Sequence, residues 1–118
     1  MPLTIRIKRI YDEASDGDGH RILVDRIWPR GLSKEKAEVH RWLKEVAPST
    51  ELRKWFGHDP KKWAEFKKRY FKELKEQTAS IDYLLDCARN KTLTLVYSAR
   101  DQEHNQAAAL KEYLSRRL

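Results

Sequence analysis

Ile22-Leu23-Val24-Asp25-Arg26-Ile27-Trp28-Pro29-Arg30-Gly31 sets three branched apolar residues side by side and then breaks off into charge, proline and glycine. Such a run suits a strand covered on both faces, so it predicts the central strand of a sheet, with Trp28-Pro29 and Gly31 ending it. Upstream, Leu3, Ile5 and Ile7 alternate with Thr4, Arg6 and Lys8, the period-two pattern of a first strand with one covered face, ending near Tyr11. Downstream, Thr92 to Tyr97 is rich in β-branched residues and reads as the third strand. Between strands one and two, Asp12 to Gly19 carries only turn-type chemistry and no helical pattern. That connection is short for a parallel crossover, which leaves an antiparallel hairpin of strands one and two as the alternative.

Helices fill the long interval between strands two and three. Val39, Trp42, Leu43 and Val46 recur at helical spacing and predict a short helix over 38–46, closed by Pro48. A helical turn is expected at Thr50 to Phe56. Asp59-Pro60 is a start signal, the carboxylate capping free amides and the proline preset for the first helical position. The helix that follows buries Trp63, Phe66, Tyr70 and Leu74, and carries seven Lys or Arg between Lys61 and Lys75. Ile81, Leu84, Leu85 and Ala88 define another helix, capped by Ser80 and ending around Asn90. A last helix, with Asp101 as its expected cap, turns Ala107, Leu110 and Leu114 inward. The order of elements predicts an α/β fold: a small three-stranded, mostly parallel sheet with a helical insertion between strands two and three, residues 1–118 forming a single α/β domain.

At 118 residues the chain can hide enough surface for a core without metal or disulfide, and its lone Cys87 can make no intrachain bridge. The absence of an apolar leader and of a stretch able to cross a bilayer implies a cytoplasmic protein with no membrane partner. Lys and Arg outnumber Asp and Glu by 25 to 18, a formal charge of +7, which favours anionic partners such as nucleotides, nucleic acid or acidic lipid. Apolar residues reach 40% and include four Trp, which argues against disorder.

If strands two and three are parallel, their carboxyl ends bring Arg26, Arg30, Arg100, Asp101, His104 and Asn105 to one crevice, the usual place for a ligand in an open α/β sheet. Arg100 beside the amides opening the last helix suits a phosphate or carboxylate, and Arg26 and Arg30 would form the other side of a guanidinium clamp. The competing reading has Asp25 and Asp101 pairing with these arginines as structural bridges or caps. Strand parity adds a restriction, since Asp25 and Arg26 face opposite sides unless the strand has already ended. His104, with Asp101 to steer it, is the candidate proton carrier, and Asn105 a group that could orient a ligand. His58 approaches the same mouth from the insertion, or serves a local turn. His20, His40, His58 and His104 lack paired ligand spacing, so neither metal nor cofactor is expected.

The segments that build this crevice resemble the YeaO-like proteins, small prokaryotic proteins of unknown function. The likeness covers nearly the whole chain and rests on Leu23 to Gly31, on Ala47-Pro48-Ser49 followed by Leu52-Arg53-Lys54-Trp55-Phe56-Gly57-His58, and on Tyr97-Ser98-Ala99-Arg100-Asp101 with His104-Asn105. That family resembles a wider group of uncharacterised α/β domains in which the segment matching His104-Asn105 more often carries a Cys-His pair. Here that cysteine is absent, so thiol chemistry does not carry over, while the Arg and Asp positions remain. The resemblance brings no established reaction. The leading expectation is a small anionic or phosphorylated ligand at the strand ends, with His104 and Asp101 carrying any catalysis. The alternative is a nucleic-acid-binding module acting through the basic helix 61–75. The chain leaves the oligomeric state open.

Overall fold

A computed structural model describes residues 4–117. Four strands, β1 (Ile5–Arg9), β2 (His20–Leu23), β3 (Arg41–Trp42) and β4 (Leu93–Tyr97), form one sheet in the order β1-β4-β2-β3. Every pairing is parallel. The sheet therefore has one strand more than the expected three, and the hairpin alternative is excluded because β4 lies between β1 and β2. Leu3, read as part of the first strand, lies outside the described residues. Both β2 and β4 are interior, and all five residues of β4 are buried.

The added strand replaces the helix expected over 38–46. A short helix, α1 (Lys34–Ala37), stops at Glu38, whose backbone is left-handed at φ 49°. Arg41 and Trp42 then pair with Ile22 and Leu23 along the open edge of β2. The apolar residues that matched a helical stripe are divided between two faces. Val39 and Trp42 pack with Ile10, Leu23, Ala37 and Val96 on one side of the sheet, while Leu43 and Val46 enter the main core on the other. Ladder hydrogen bonds along a free edge prevailed over a short local periodicity.

The main core lies where Ile5, Ile22, Leu93, Leu95 and Tyr97 meet the helices α2 (Thr50–Phe56), α3 (Trp63–Leu74), α4 (Thr78–Asn90) and α5 (Gln106–Ser115). Asp59 caps as expected, its side chain accepting from the Lys61 amide at 3.0 Å at the start of a 3-10 turn, Pro60–Lys62, that leads into α3. Phe66, Tyr70 and Leu74 are buried, and the Tyr70 hydroxyl donates to the Val46 carbonyl. α4 begins at Thr78, ahead of the expected Ser80 cap, and ends at Asn90. Among the described residues no helix is long and apolar enough to cross a membrane.

On the opposite face the ten residues from Ile10 to Gly19 return the chain from the end of β1 to the start of β2, across β4. Asp18 fastens this crossover. Its carboxylate accepts from Arg21 at 2.6 Å, from Lys8 at 3.2 Å and from the Ser15 amide at 3.1 Å, while its carbonyl accepts from the buried Thr94 hydroxyl at 2.6 Å. Arg21, only 3% exposed, spends its other donors on the Glu38 and Ala37 carbonyls. Gly19, at φ 63°, passes so close to the backbone of β4's leading residue that a Cβ would stand 2.2 Å from the Thr92 carbonyl oxygen.

Burial opposes ionisation of Asp18, but the Ser15 amide, Arg21 and Lys8 outweigh it and hold the carboxyl at about 2, against 3.8 ordinarily. A folded value below the unfolded one stabilises the protein above the unfolded value, and this contribution, ~2 kcal/mol, is lost as pH falls from 3.8 through 2. Asp18→Ala leaves Arg21 buried without its counter-ion and should cost about 3 kcal/mol or more. Gly19→Ala should destabilise by more than ~1 kcal/mol through the Thr92 clash. Urea unfolding between pH 2 and 7 checks all three, and the acid-side slope should be shallower in Asp18→Ala.

Candidate functional site

Beyond Leu23 the ladder is finished except for the Val24 amide, which donates to the Val96 carbonyl at 3.1 Å. Past that bond strand alternation no longer applies, and Asp25 and Arg26 both line a cavity of about 580 Å³ at the carboxyl ends of β2 and β4. The segment after β4 contributes Ser98, Arg100 and Asp101, the start of α5 contributes His104, Asn105 and Gln106, and the helical insertion contributes Arg53, Phe56, His58 and Phe66. Of the residues singled out in the sequence, Arg26, His58, Arg100, Asp101, His104 and Asn105 come together here. Arg30 does not. It lies within the turn that Trp28 closes by donating to the Leu32 carbonyl at 2.6 Å, and its own carbonyl accepts from the Tyr11 hydroxyl at 3.0 Å. Gly31, left-handed at φ 76°, lets the chain turn away from the cavity at that point.

Asp25 ties three elements together at the base of the cavity. One carboxylate oxygen accepts from the Ser98 amide at 3.0 Å, the other accepts from the Gln106 side chain, and its carbonyl takes the Trp42 indole N–H at 2.7 Å. Burial pushes its carboxyl above the usual range, although the Ser98 and Gln106 hydrogen bonds pull the other way. Neither it nor Asp101 pairs with a guanidinium in the cavity, so the Asp-Arg bridges of the competing reading are absent among the described residues. Arg26 donates to the Pro48 and Ala47 carbonyls at 3.0 and 3.2 Å, which fixes the chain entering α2. The guanidinium groups of Arg53 and Arg100 are exposed and have no hydrogen-bond or salt-bridge partner among the described residues.

Asp101 does not cap α5. Its Oδ1 accepts from the amides of Glu103 and His104, both at 2.9 Å, and so closes a turn one step earlier. Those two amides hold its carboxyl below the ordinary value. Asn105 is the cap instead, its Oδ1 accepting from the Ala108 amide at 2.8 Å and its Nδ2 donating to the Asp101 carbonyl at 2.9 Å. Both ends of that amide are thereby engaged with backbone. Asp101 Oδ2 lies 3.0 Å from His104 Nδ1, and with the carboxylate ionised this nitrogen donates, so that in a neutral ring Nε2 is the acceptor. The imidazole stands edge-on to Trp63 at 5.4 Å. This is the base-and-orienter half of a hydrolytic triad, and Ser98 lines the same cavity.

His58, left-handed at φ 57° after the Gly57 cap of α2, leans on Phe56. Arg53, Ser98 and Gln106 were not singled out in the sequence. Arg53 sits in the recognised Leu52 to His58 segment but looks there like any exposed helical cation, and Gln106 acquires its role only from Asp25. On the basic helix, Lys62 donates to the Trp55 carbonyl, Lys67 pairs with Glu112 and Arg69 with Glu65. Trp55 is flanked by the cations of Lys62 and Arg69, and Trp63 packs against the main core. Among the described residues no cluster of three or more His, Cys, Asp or Glu side chains has the geometry to hold a metal ion.

The family described as "Inactive DUF488-N3 subclade" matches residues 4–118. The chain belongs to this family. It is 43% identical over 112 residues to the uncharacterized protein YeaO of Escherichia coli (strain K12), covering 95% of this chain and 97% of that protein. It is 39% identical over 113 residues to an uncharacterized protein of Mycobacterium tuberculosis (strain ATCC 25618 / H37Rv), with 96% and 95% covered. The YeaO-like resemblance therefore extends over almost the full length of both chains. No solved structure matches the chain. In this DUF488-N3 member the Arg and Asp positions of the shared segments surround the cavity, apart from Arg30.

The two cavity aspartates should titrate on opposite sides of the usual carboxylate value, Asp25 above it and Asp101 below it. Side-chain carboxyl NMR titration measures both midpoints directly. Because Asp25 is raised, its contribution to stability is full below the unfolded value and is lost as pH rises through the folded one. That loss should be missing from the melting profile of Asp25→Asn.

Proposed function

We propose that the cavity binds a small anionic ligand, phosphorylated or carboxylated, and that the protein works as a binding module rather than through turnover. The observation that carries this reading is the meeting of three arginines on one cavity at the strand ends, Arg26 anchored to the Ala47 and Pro48 carbonyls and Arg53 and Arg100 exposed without a partner among the described residues. Planar guanidinium groups grip phosphate and carboxylate by paired hydrogen bonds. The two carboxylates nearby offset them weakly. Burial shifts Asp25 toward its neutral form, and Asp101 is engaged by two amides and His104.

An accepting Nε2 on His104 would take a hydroxyl from the ligand, the role in which this reading uses the Asp101-His104 pair. The family's description as inactive supports holding over turnover. A cytoplasmic setting is part of the same proposal, supported by the unpaired, buried Cys87. The rival reading, nucleic acid along the whole basic helix, is weakened by the three cations held in intramolecular contacts at Lys62, Lys67 and Arg69.

Thermal-shift titration with nucleoside monophosphates, sugar phosphates and small dicarboxylates is the test. At least one class should raise the melting temperature, as selective binding to the folded state requires. Arg53→Ala and Arg100→Ala should each weaken that ligand by roughly 10-fold or more, the worth of a hydrogen bond to a charged group, while leaving the ligand-free melt almost unchanged. Arg30→Ala should bind as the parent does. A shift that survives both cavity substitutions, or none with any of the anions, overturns the reading.

A further inference from the structure

At the far end of the α3-α5 pair from the cavity lies a second groove of about 520 Å³, lined by Lys68, Phe71, Lys72 and Lys75 of the α3 side and by Tyr113, Arg116 and Arg117 of the α5 side. We propose that this groove binds the phosphate backbone of nucleic acid without reading its sequence. It is a different site from the anion cavity and shares none of its residues.

Among the described residues five cations line the groove and no carboxylate does. Lys68, Lys72 and Lys75 follow one another at spacings of four and three, so they stand in a row about 10 Å long on one helical face. That row matches roughly three consecutive phosphates of a duplex strand. The three ammonium groups have no hydrogen-bond or salt-bridge partner among the described residues, unlike Lys62, Lys67 and Arg69. Glu112 is shared by Lys67 at 3.2 Å and Arg116 at 3.4 Å, and Glu65, paired with Arg69, lies within electrostatic reach of Lys68 and Lys72.

The aromatic residues define what the groove does not recognise. The Arg117 guanidinium lies 4.3 Å from the Tyr113 ring centre and donates to its hydroxyl, and Arg116 lies 5.6 Å from the ring centre of Phe71. Phe71 and Tyr113 also pack against each other at 5.3 Å. With their faces covered, these rings offer no platform for a base to stack on, and what remains outward is charge. Long cations spaced along an open groove favour an extended polyanion, whose condensed counterions are released on binding, over a compact single phosphate.

Fluorescence anisotropy with two labelled duplex DNA probes of unrelated sequence tests this. Both should bind equally at low salt, with a logarithmic salt slope of about −4. Lys72→Ala and Arg116→Ala should each reduce that slope by about one, equally for both sequences. The double reversal Lys72→Glu with Arg116→Glu should weaken binding by at least about 10-fold, while Arg53→Ala in the cavity and Lys61→Ala outside the groove leave it unchanged. No binding at low salt overturns the proposal, as does binding that ignores the groove variants or prefers one sequence. Competition by polyglutamate as effective as by DNA of equal charge would assign the groove to an acidic protein instead, and vesicles of acidic lipid competing equally would assign it to a membrane surface.

Discussion

The buried pair between Asp18 and Arg21 holds the one connection on which the strand order depends. A parallel arrangement with β4 between β1 and β2 forces ten residues, too few for a packed helix, to cross the sheet face alone. Those residues have little apolar surface to bury, and their hold on the sheet is polar: Asp18 to Arg21, Lys8 and Thr94, with Arg21 reaching on to the carbonyls that end α1. An ion pair of this kind is not a cheap source of stability, since both partners lose water. Its value here is position. It sets where β2 begins, and so which residue leaves the ladder at the other end.

That exit decides the cavity. β2 leaves its ladder just before Asp25, and the freed backbone sends Asp25 and Arg26 into the same space. Asp25 then serves as the bracket that joins the end of β2, the amide of Ser98 after β4 and the side chain of Gln106 on α5. Arg26 plays a matching part toward the insertion through the Ala47 and Pro48 carbonyls. The base of the cavity is thus rigid and internally satisfied, while its rim presents Arg53 and Arg100 unpartnered. A held base with exposed charge at its rim is the arrangement on which the binding proposal rests.

The positive charge of the chain is not spread evenly over α3. Lys62, Lys67 and Arg69 are tied to neighbouring groups, and the row of Lys68, Lys72 and Lys75 joins two arginines from the end of α5. Net charge alone therefore does not locate the exposed cations. The two cationic regions differ in kind as well: the cavity is concave and partly apolar, and the groove is open with its aromatic faces already covered by guanidinium groups.

The sequence by itself determined the strand character of 5–9, 22–23 and 93–97, the Asp59 start signal, the buried stripes of α3, α4 and α5, and the meeting of the segments after strands two and three. These are properties of local periodicity and of residues whose backbone preferences are strong, as at Pro29, Gly31 and Pro60. Only the tertiary structure decided that Arg41 and Trp42 form a fourth strand, because a two-residue ladder is paid in hydrogen bonds to β2 and leaves no local pattern. It alone decided that Asp101 closes a turn while Asn105 caps α5, two roles open to either residue type. It also turned Arg30 away and brought in Arg53 and Gln106, since which way a long polar side chain faces depends on the neighbours that the fold supplies. Alternation and capping are written residue by residue, whereas the partners of a charge are set by chain crossings many positions away.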